Sequence, residues 1–285
     1  MIYEENNINL DYSKIDAEKT DFQPYMRVYV PNTEGDVVKY TAGTRPTIVI
    51  LPGGGYGFRS DREGEPIAMK FLAHGYNACI VSYSVKPATF PSALLEALSA
   101  IKYMRENAER FYADPNKIYV CGFSAGGHLA ASTGVFWNDE VSKKYFGDVE
   151  AVKPNGLILS YPVITCDPKY AHNGSFRSLL GNKDTPENRE WQSLEKRVTE
   201  STPPAFIWTT NGDTLVPCEN SILFALALRR NYVSVELHVY EKTEHGSATG
   251  DTITCERTMR VHNWIDMACE WCDRERMIMK RPEDK

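Results

Sequence analysis

Nowhere does the 285-residue chain hold an apolar run near the roughly 18 residues that a membrane-spanning helix needs. Nor is there an excess of basic charge: 32 Lys and Arg stand against 38 Asp and Glu, a net charge of −6. That balance argues against nucleic acid or an anionic membrane surface as a partner. The start, Met1-Ile2-Tyr3-Glu4-Glu5-Asn6-Asn7, lacks a basic region followed by an apolar one. No secretory signal is expected, and the expected location is the cytoplasm. Cysteines are few, odd in number and scattered: seven, which suits reduced thiols better than a disulfide framework. Cys269 and Cys272 have C-x-x-C spacing in a helix-like run with no second pair, so zinc or redox chemistry is not expected. No cofactor or metal is implied. Internal repeats and low-complexity tracts are also missing.

What is present is a regular alternation. Short apolar, β-branched runs at residues 47–51, 78–83, 118–121, 156–160, 205–209 and 233–240 read as strands covered on both faces. Between them lie helical patterns. Residues 92–110 carry Leu94, Leu95, Leu98, Ile101 and Met104 near a 3.6 period, with Ser92 as the N-cap. Further helices are expected over 125–136, 221–230 and 260–279. Strand and helix in this order predict one α/β domain over 1–285, with a mostly parallel central sheet and helices on both faces. The polar stretch 163–204 is too long for a simple connection. It is expected to form a small helical insertion, a cap over the carboxyl edge of the sheet.

The most informative stretch is Cys121-Gly122-Phe123-Ser124-Ala125-Gly126-Gly127-His128. It has the form G-x-S-x-G between a strand and a helix. There the serine sits on a sharp turn that only flanking glycines permit, and its hydroxyl is left exposed as a nucleophile. A second glycine run, Pro52-Gly53-Gly54-Gly55-Tyr56-Gly57, follows the strand at 47–51. Its backbone N–H groups, with that of Ala125, can hold the oxyanion of a tetrahedral intermediate. A dinucleotide loop is the wrong reading, because G-x-G-x-x-G spacing is not met.

An acid and a base remain to be found. Asp213 stands in the turn after the strand at 205–209. Of six histidines, His74 falls at a helix end and His128 in the nucleophile helix, as support or packing. His172 lies in the insertion, His238 in a strand and His262 in the last helix. Only His245 sits in a polar loop after the last strand. Ser124, Asp213 and His245 follow the nucleophile–acid–base order of α/β-hydrolases. Four separate signals fall at carboxyl ends of strands, the edge where open α/β sheets place ligands.

From about Arg45 to Ile265 the chain resembles the α/β-hydrolase superfamily. It is similar to bacterial esterases and lipases related to hormone-sensitive lipase and to acetyl-xylan and feruloyl esterases. The stretches that carry this are Leu51-Pro52-Gly53-Gly54-Gly55-Tyr56, Gly122 to Ala130, and Asp213-Thr214-Leu215-Val216-Pro217 with His245-Gly246. The resemblance implies Ser124 as nucleophile, His245 as base, Asp213 as its partner, and oxyanion donors at Gly54, Gly55 and Ala125. Pro52 and Phe123 stand where hormone-sensitive-lipase relatives often carry His and Asp, which points to the carbohydrate-esterase-like branch. Tyr56 beside the glycine loop and His172 in the insertion are candidate substrate contacts. The function expected is a serine carboxylesterase that hydrolyses short acyl esters, foremost acetyl, on carbohydrates. Its partner would be a small-molecule ester such as an acetylated oligosaccharide. Two alternatives stay open: an amidase, arylformamidase-like or peptidase-like serine hydrolase, and a non-catalytic ligand-binding protein on the same fold. Oligomeric state is not legible, and edge strands or the insertion could pair two subunits.

Overall fold

A computed structural model of the chain describes residues 1–32 and 43–274. Eight strands among these residues make one sheet: β1 (Ile2–Asn7), β2 (Tyr25–Val30), β3 (Arg45–Leu51), β4 (Asn77–Ser82), β5 (Ala113–Phe123), β6 (Gly156–Ser160), β7 (Ala205–Thr210) and β8 (Val235–Tyr240). Their order is β1-β2-β4-β3-β5-β6-β7-β8. From β4 to β8 every neighbouring pair is parallel. β1 and β2 form an antiparallel ribbon on the β4 edge. This ribbon lies outside the strands expected from sequence. β1 has no apolar run, because it alternates half-buried with exposed residues along an edge.

Period-two alternation divides the core. Val49, Leu51, Val120, Leu157 and Ile207 point into one layer. Ile48, Ile50, Tyr119, Ile158 and Phe206 point into the other. Helices α2 (Ser92–Glu106), α3 (Ala125–Phe136) and α7 (Glu219–Arg230) cover the first face. Helices α1 (Glu65–Ala73) and α8 (Trp264–Asp273) cover the second. With apolar cover on both sides, the central strands read as continuous runs. A short helix, α4 (Glu140–Phe146), follows α3.

Three expectations need correction. α2 stops at Glu106, not at 110, because the Asn107 side chain donates to the Tyr103 carbonyl at 2.9 Å and closes the helix end. Ser92 is the first helical residue of α2 and not its N-cap, a position taken by Pro91. α8 begins at Trp264, so His262 lies in the preceding turn, its Nδ1 donating to the Met259 carbonyl at 2.8 Å. The part of the expected last helix beyond Arg274 lies outside the described residues. Cys269 and Cys272 are both buried on α8.

The segment 163–204 is helical, with α5 (Asn173–Leu180), α6 (Pro186–Trp191) and 3-10 turns at Gly181–Lys183 and Leu194–Lys196. Trp191 stacks on Phe136 of α3, with ring centroids 4.5 Å apart. Asn220 of α7 accepts from the N–H groups of Ile164 and Thr165 at 2.9 and 3.1 Å. The segment is thereby fastened to the two helices on one face. No helix among the described residues is long and apolar enough to cross a membrane.

Candidate active site

Strand register brings the loops together. Leu51 pairs with Gly122, Phe123 with Ser160, Ser160 with Trp208, and Thr210 with Tyr240. The exits of β3, β5, β6, β7 and β8 therefore lie side by side at one edge. Ser124 stands at the β5 exit with φ 53° and ψ −117°. A non-glycine residue there is strained by about 1–3 kcal/mol and persists because its surroundings fix it. The Ser124 N–H donates to the Ser160 carbonyl at 3.1 Å, and its carbonyl accepts from Val163 and His128 at 3.0 and 3.1 Å. The flanking glycines are steric necessities. A Cβ on Gly122 would stand 2.1 Å from the Gly126 carbonyl oxygen, and one on Gly126 would stand 2.1 Å from that of Leu51.

The three residues that sequence ordered as nucleophile, acid and base are in contact. His245 Nε2 lies 2.9 Å from Ser124 Oγ, and His245 Nδ1 lies 2.6 Å from Asp213 Oδ2. The Asp213 side chain is fully buried, whereas that of His245 keeps 18% of its surface. Asp213 Oδ1 accepts from the N–H groups of Leu215 and Val216, each at 2.9 Å. These donors hold the carboxylate with its second oxygen toward the imidazole. The loops of Asp213 and His245 are stitched by Thr210, whose Oγ1 accepts from Gly212 at 3.2 Å and from Thr243 at 2.9 Å. From below, the Trp264 indole donates to the Ala248 carbonyl at 2.8 Å and supports the His245 loop.

The glycine loop turns tightly beside Ser124. The Gly54 carbonyl accepts from Gly57 and Phe58 at 3.0 and 3.2 Å. Gly54 and Gly55 have φ 125° and 63°, a region that glycine enters without penalty. No hydrogen bond from the N–H groups of Gly54, Gly55 or Ala125 is formed among the described residues. Tyr56 is buried, with 2% of its surface left, and its hydroxyl lies 2.9 Å from His128 Nδ1. His172 comes from the insertion: its Cε1 lies 3.9 Å from where a Cβ on Gly55 would stand, and its Nδ1 is 2.7 Å from Ser175 Oγ. Burial and, secondly, the neighbouring charge of His245 hold the His172 imidazole toward its neutral form. Among other aromatics, Phe176 and Trp208 are core, and Phe58 is 64% exposed.

His128 joins three elements. Its Nε2 is 3.0 Å from the Gln192 carbonyl, which can only accept. Nε2 therefore carries the proton and Nδ1 accepts from the Tyr56 hydroxyl. The ring ties α3 to the glycine loop and to the insertion. Burial pushes its pKa down to about 4. Because the folded value lies below the unfolded one, the unfolded chain binds the extra proton between about pH 6.5 and 4. Stability from this group is therefore complete above about pH 6.5 and is lost as pH falls toward 4. We expect the stability advantage of wild type over His128→Phe to shrink by about 3 kcal/mol across that window. Urea unfolding at pH 7 and pH 4 measures it, and an unchanged difference would refute the buried neutral imidazole.

Two residues close to Ser124 and His245 escaped the sequence reading. Glu63 is 3% exposed and sits in the turn before α1. Tyr161 directly follows β6 and is 1% exposed, its ring edge-on to His245 at 5.0 Å. The position of Tyr161 at a strand's carboxyl end was a usable signal. Glu63 gave none, since it stands in Asp61-Arg62-Glu63-Gly64-Glu65, which looks like a solvated charged turn.

Known proteins share much of this chain. The BD-FAE family model matches residues 35–228. The chain is 36% identical over 275 residues to endo-1,4-beta-xylanase B of Butyrivibrio fibrisolvens, covering 91% of this chain and 41% of that protein. It is 29% identical over 208 residues to an acetylxylan esterase of Xylanibacter ruminicola, covering 71% and 41%. It thus spans about two fifths of the length of these relatives. Among solved structures, an acetyl ester-xyloside bifunctional hydrolase from Caldicellulosiruptor lactoaceticus is 34% identical, with TM-score 0.75 over 88% of each chain. The carboxylesterase Cest-2923 from Lactobacillus plantarum is 26% identical, with TM-score 0.78 over 95% of this chain and 96% of that one. The sheet, the elbow and these matches together place the chain in the BD-FAE family, within the α/β-hydrolase esterases.

Proposed function

We propose that the chain is a serine carboxylesterase that removes short acyl groups, foremost acetyl, from carbohydrate esters. The observation that carries this is the hydrogen-bond chain from Ser124 Oγ through His245 to Asp213, at 2.9 and 2.6 Å. In this reading His245 takes the Ser124 proton as Oγ attacks the ester carbonyl. Asp213 fixes the imidazole tautomer and stabilises the imidazolium. Gly54, Gly55 and Ala125 offer N–H groups to the developing oxyanion, each worth about 3–4 kcal/mol of barrier. His245 then protonates the leaving alcohol, and water repeats the cycle to free the acid. Tyr56 serves as a support of the glycine loop, and His172 as the contact from the insertion, which acts as a cap.

The carbohydrate part has its own support. A cavity of about 390 Å³ opens beside the base, lined by Arg62, Glu244, His245, Gly246, Glu256 and Arg257 among others. Charged and backbone groups of this kind suit a hydroxyl-rich leaving alcohol better than a lipid chain. Ser124 lines neither this cavity nor a larger one of about 820 Å³, which is lined by Arg27, Asp61, Arg62, Glu65 and Met69 and does not reach His245 either. Relatives are named for acetylxylan and acetyl-xyloside hydrolysis. The site acts with a small-molecule ester, at a location that we take to be the cytoplasm.

The test compares acetylated xylo- and manno-oligosaccharides, p-nitrophenyl esters of rising chain length, and formamide or dipeptide amide substrates, each with wild type and Ser124→Ala. We expect acetyl release from the oligosaccharides, a fall beyond the shortest p-nitrophenyl esters, and loss of turnover in Ser124→Ala. Preference for amides would overturn the esterase assignment. Preference for long acyl chains would overturn the carbohydrate one.

A further inference from the structure

Glu63 is a buried carboxyl that the triad chemistry leaves unused. Its Oε2 accepts from the Gly53 N–H at 2.8 Å, one residue before the glycine loop donors. Its Oε1 accepts from the Tyr161 hydroxyl at 2.7 Å. The Tyr161 oxygen in turn accepts from the Ala248 N–H at 3.1 Å, three residues beyond His245. The direction of each bond is fixed. An amide N–H only donates, so the Tyr161 hydroxyl proton is free to go to Glu63 and has no other partner in the chain of bonds. Both groups facing Glu63 are donors, and the arrangement suits the ionised carboxylate. Gly53 is held close as well: a Cβ there would lie 2.7 Å from Glu63 Oε2 and 3.1 Å from Ser124 Cβ.

We propose that Glu63 is a positioning residue for ester hydrolysis: its carboxylate locks the oxyanion loop to the base loop through Tyr161 and sets a second buried negative charge near His245. The proposal rests on the serine-esterase reading. When His245 gains the Ser124 proton, it faces Asp213 from the β7 exit and Glu63 across the Tyr161 ring from the β6 exit. His172 faces it from the insertion, and Arg62 reaches its own loop at Gly246, where the Arg62 Nη2 is 3.4 Å from a Cβ position. Glu244 adjoins it in sequence. Around Glu63 itself stand Arg62, Tyr83, Tyr161 and the Cys121 thiol. Burial pushes the Glu63 carboxyl up, while Tyr161, Gly53 and the charge of His245 pull it back. A carboxylate in this place favours the imidazolium formed during attack, and its two bonds keep the Gly54 and Gly55 N–H groups in register with Ser124.

Glu63→Gln keeps the shape but loses the charge, and its amide nitrogen must face one of two donors. We expect kcat on p-nitrophenyl acetate to fall about tenfold to a hundredfold with KM changed less than threefold. The acid limb of kcat/KM should move to lower pH, because the protonated imidazole loses a favourable neighbour. Tyr161→Phe cuts the link, so kcat should fall there too, again with KM changed little. A Glu63→Gln enzyme with wild-type kcat, or one whose acid limb does not move, would overturn the proposal. So would wild-type kcat in Tyr161→Phe, a result that stands even if Glu63→Gln fails to fold. Ser124→Ala run beside them separates the two readings. Turnover that survives in Ser124→Ala refutes the serine mechanism. An inactive Ser124→Ala with unaltered Glu63→Gln and Tyr161→Phe refutes the role of Glu63 alone.

Discussion

Asp213→Asn is expected to lower kcat on esters by about 10,000-fold while leaving the fold intact. The reason lies in the two N–H groups, of Leu215 and Val216, that reach Asp213 Oδ1 at 2.9 Å. An asparagine oxygen would be kept by these donors. Its amide nitrogen would then face His245 Nδ1, where Asp213 Oδ2 now accepts at 2.6 Å. Nδ1 would become an acceptor, and the ring proton would move to Nε2, which faces Ser124 Oγ. A base that already holds its proton toward the nucleophile cannot take another. Steady-state kinetics with p-nitrophenyl acetate, paired with circular dichroism, measures this. A loss below about tenfold in a folded variant would mean that Asp213 does not set the tautomer.

Gly126→Ala should destabilise the protein by about 4 kcal/mol or more. In most helices the same change stabilises, by roughly 0.5–1 kcal/mol. Here the new Cβ would lie 2.1 Å from the Leu51 carbonyl oxygen and 2.4 Å from that of Pro52. Both are backbone atoms, one at the end of β3 and one on the residue after it, so the neighbour cannot swing away. Relief would move the oxyanion loop from Ser124, and activity should fall with stability. Gly147→Ala is the control: its φ of 74° brings strain, but nothing lies within 4 Å of its Cβ. It should cost about 1–2 kcal/mol and spare kcat. Denaturant midpoints for both variants decide the matter, and a Gly126→Ala protein as stable as wild type would show that the elbow is less crowded than described.

The parallel sheet was legible because each central strand is buried on both faces and writes itself as an unbroken apolar run. β1 was not, since Tyr3 and Glu5 alternate with half-buried neighbours on an edge that needs no such run. Ser124, Asp213 and His245 could be read because each follows a strand, and chain order carried the rest. Their contacts span 121 and 32 positions, so only topology brings them together. Glu63 and Tyr161 meet across 98 positions. A carboxyl beside two other acids in a polar turn looks solvated until the strands are placed. The end of α2 was missed for a local reason: Asn107 caps the helix, its side chain and its N–H both donating to the Tyr103 carbonyl, while the apolar periodicity continues.

The account turns on Ser124 being an activated nucleophile. Folded protein treated with a fluorophosphonate probe, digested and mapped by mass spectrometry, tests this most directly. A single adduct on Ser124 is predicted, absent from Ser124→Ala and formed far more slowly by His245→Ala. Folded protein that leaves Ser124 unlabelled, or that labels equally without His245, would contradict it.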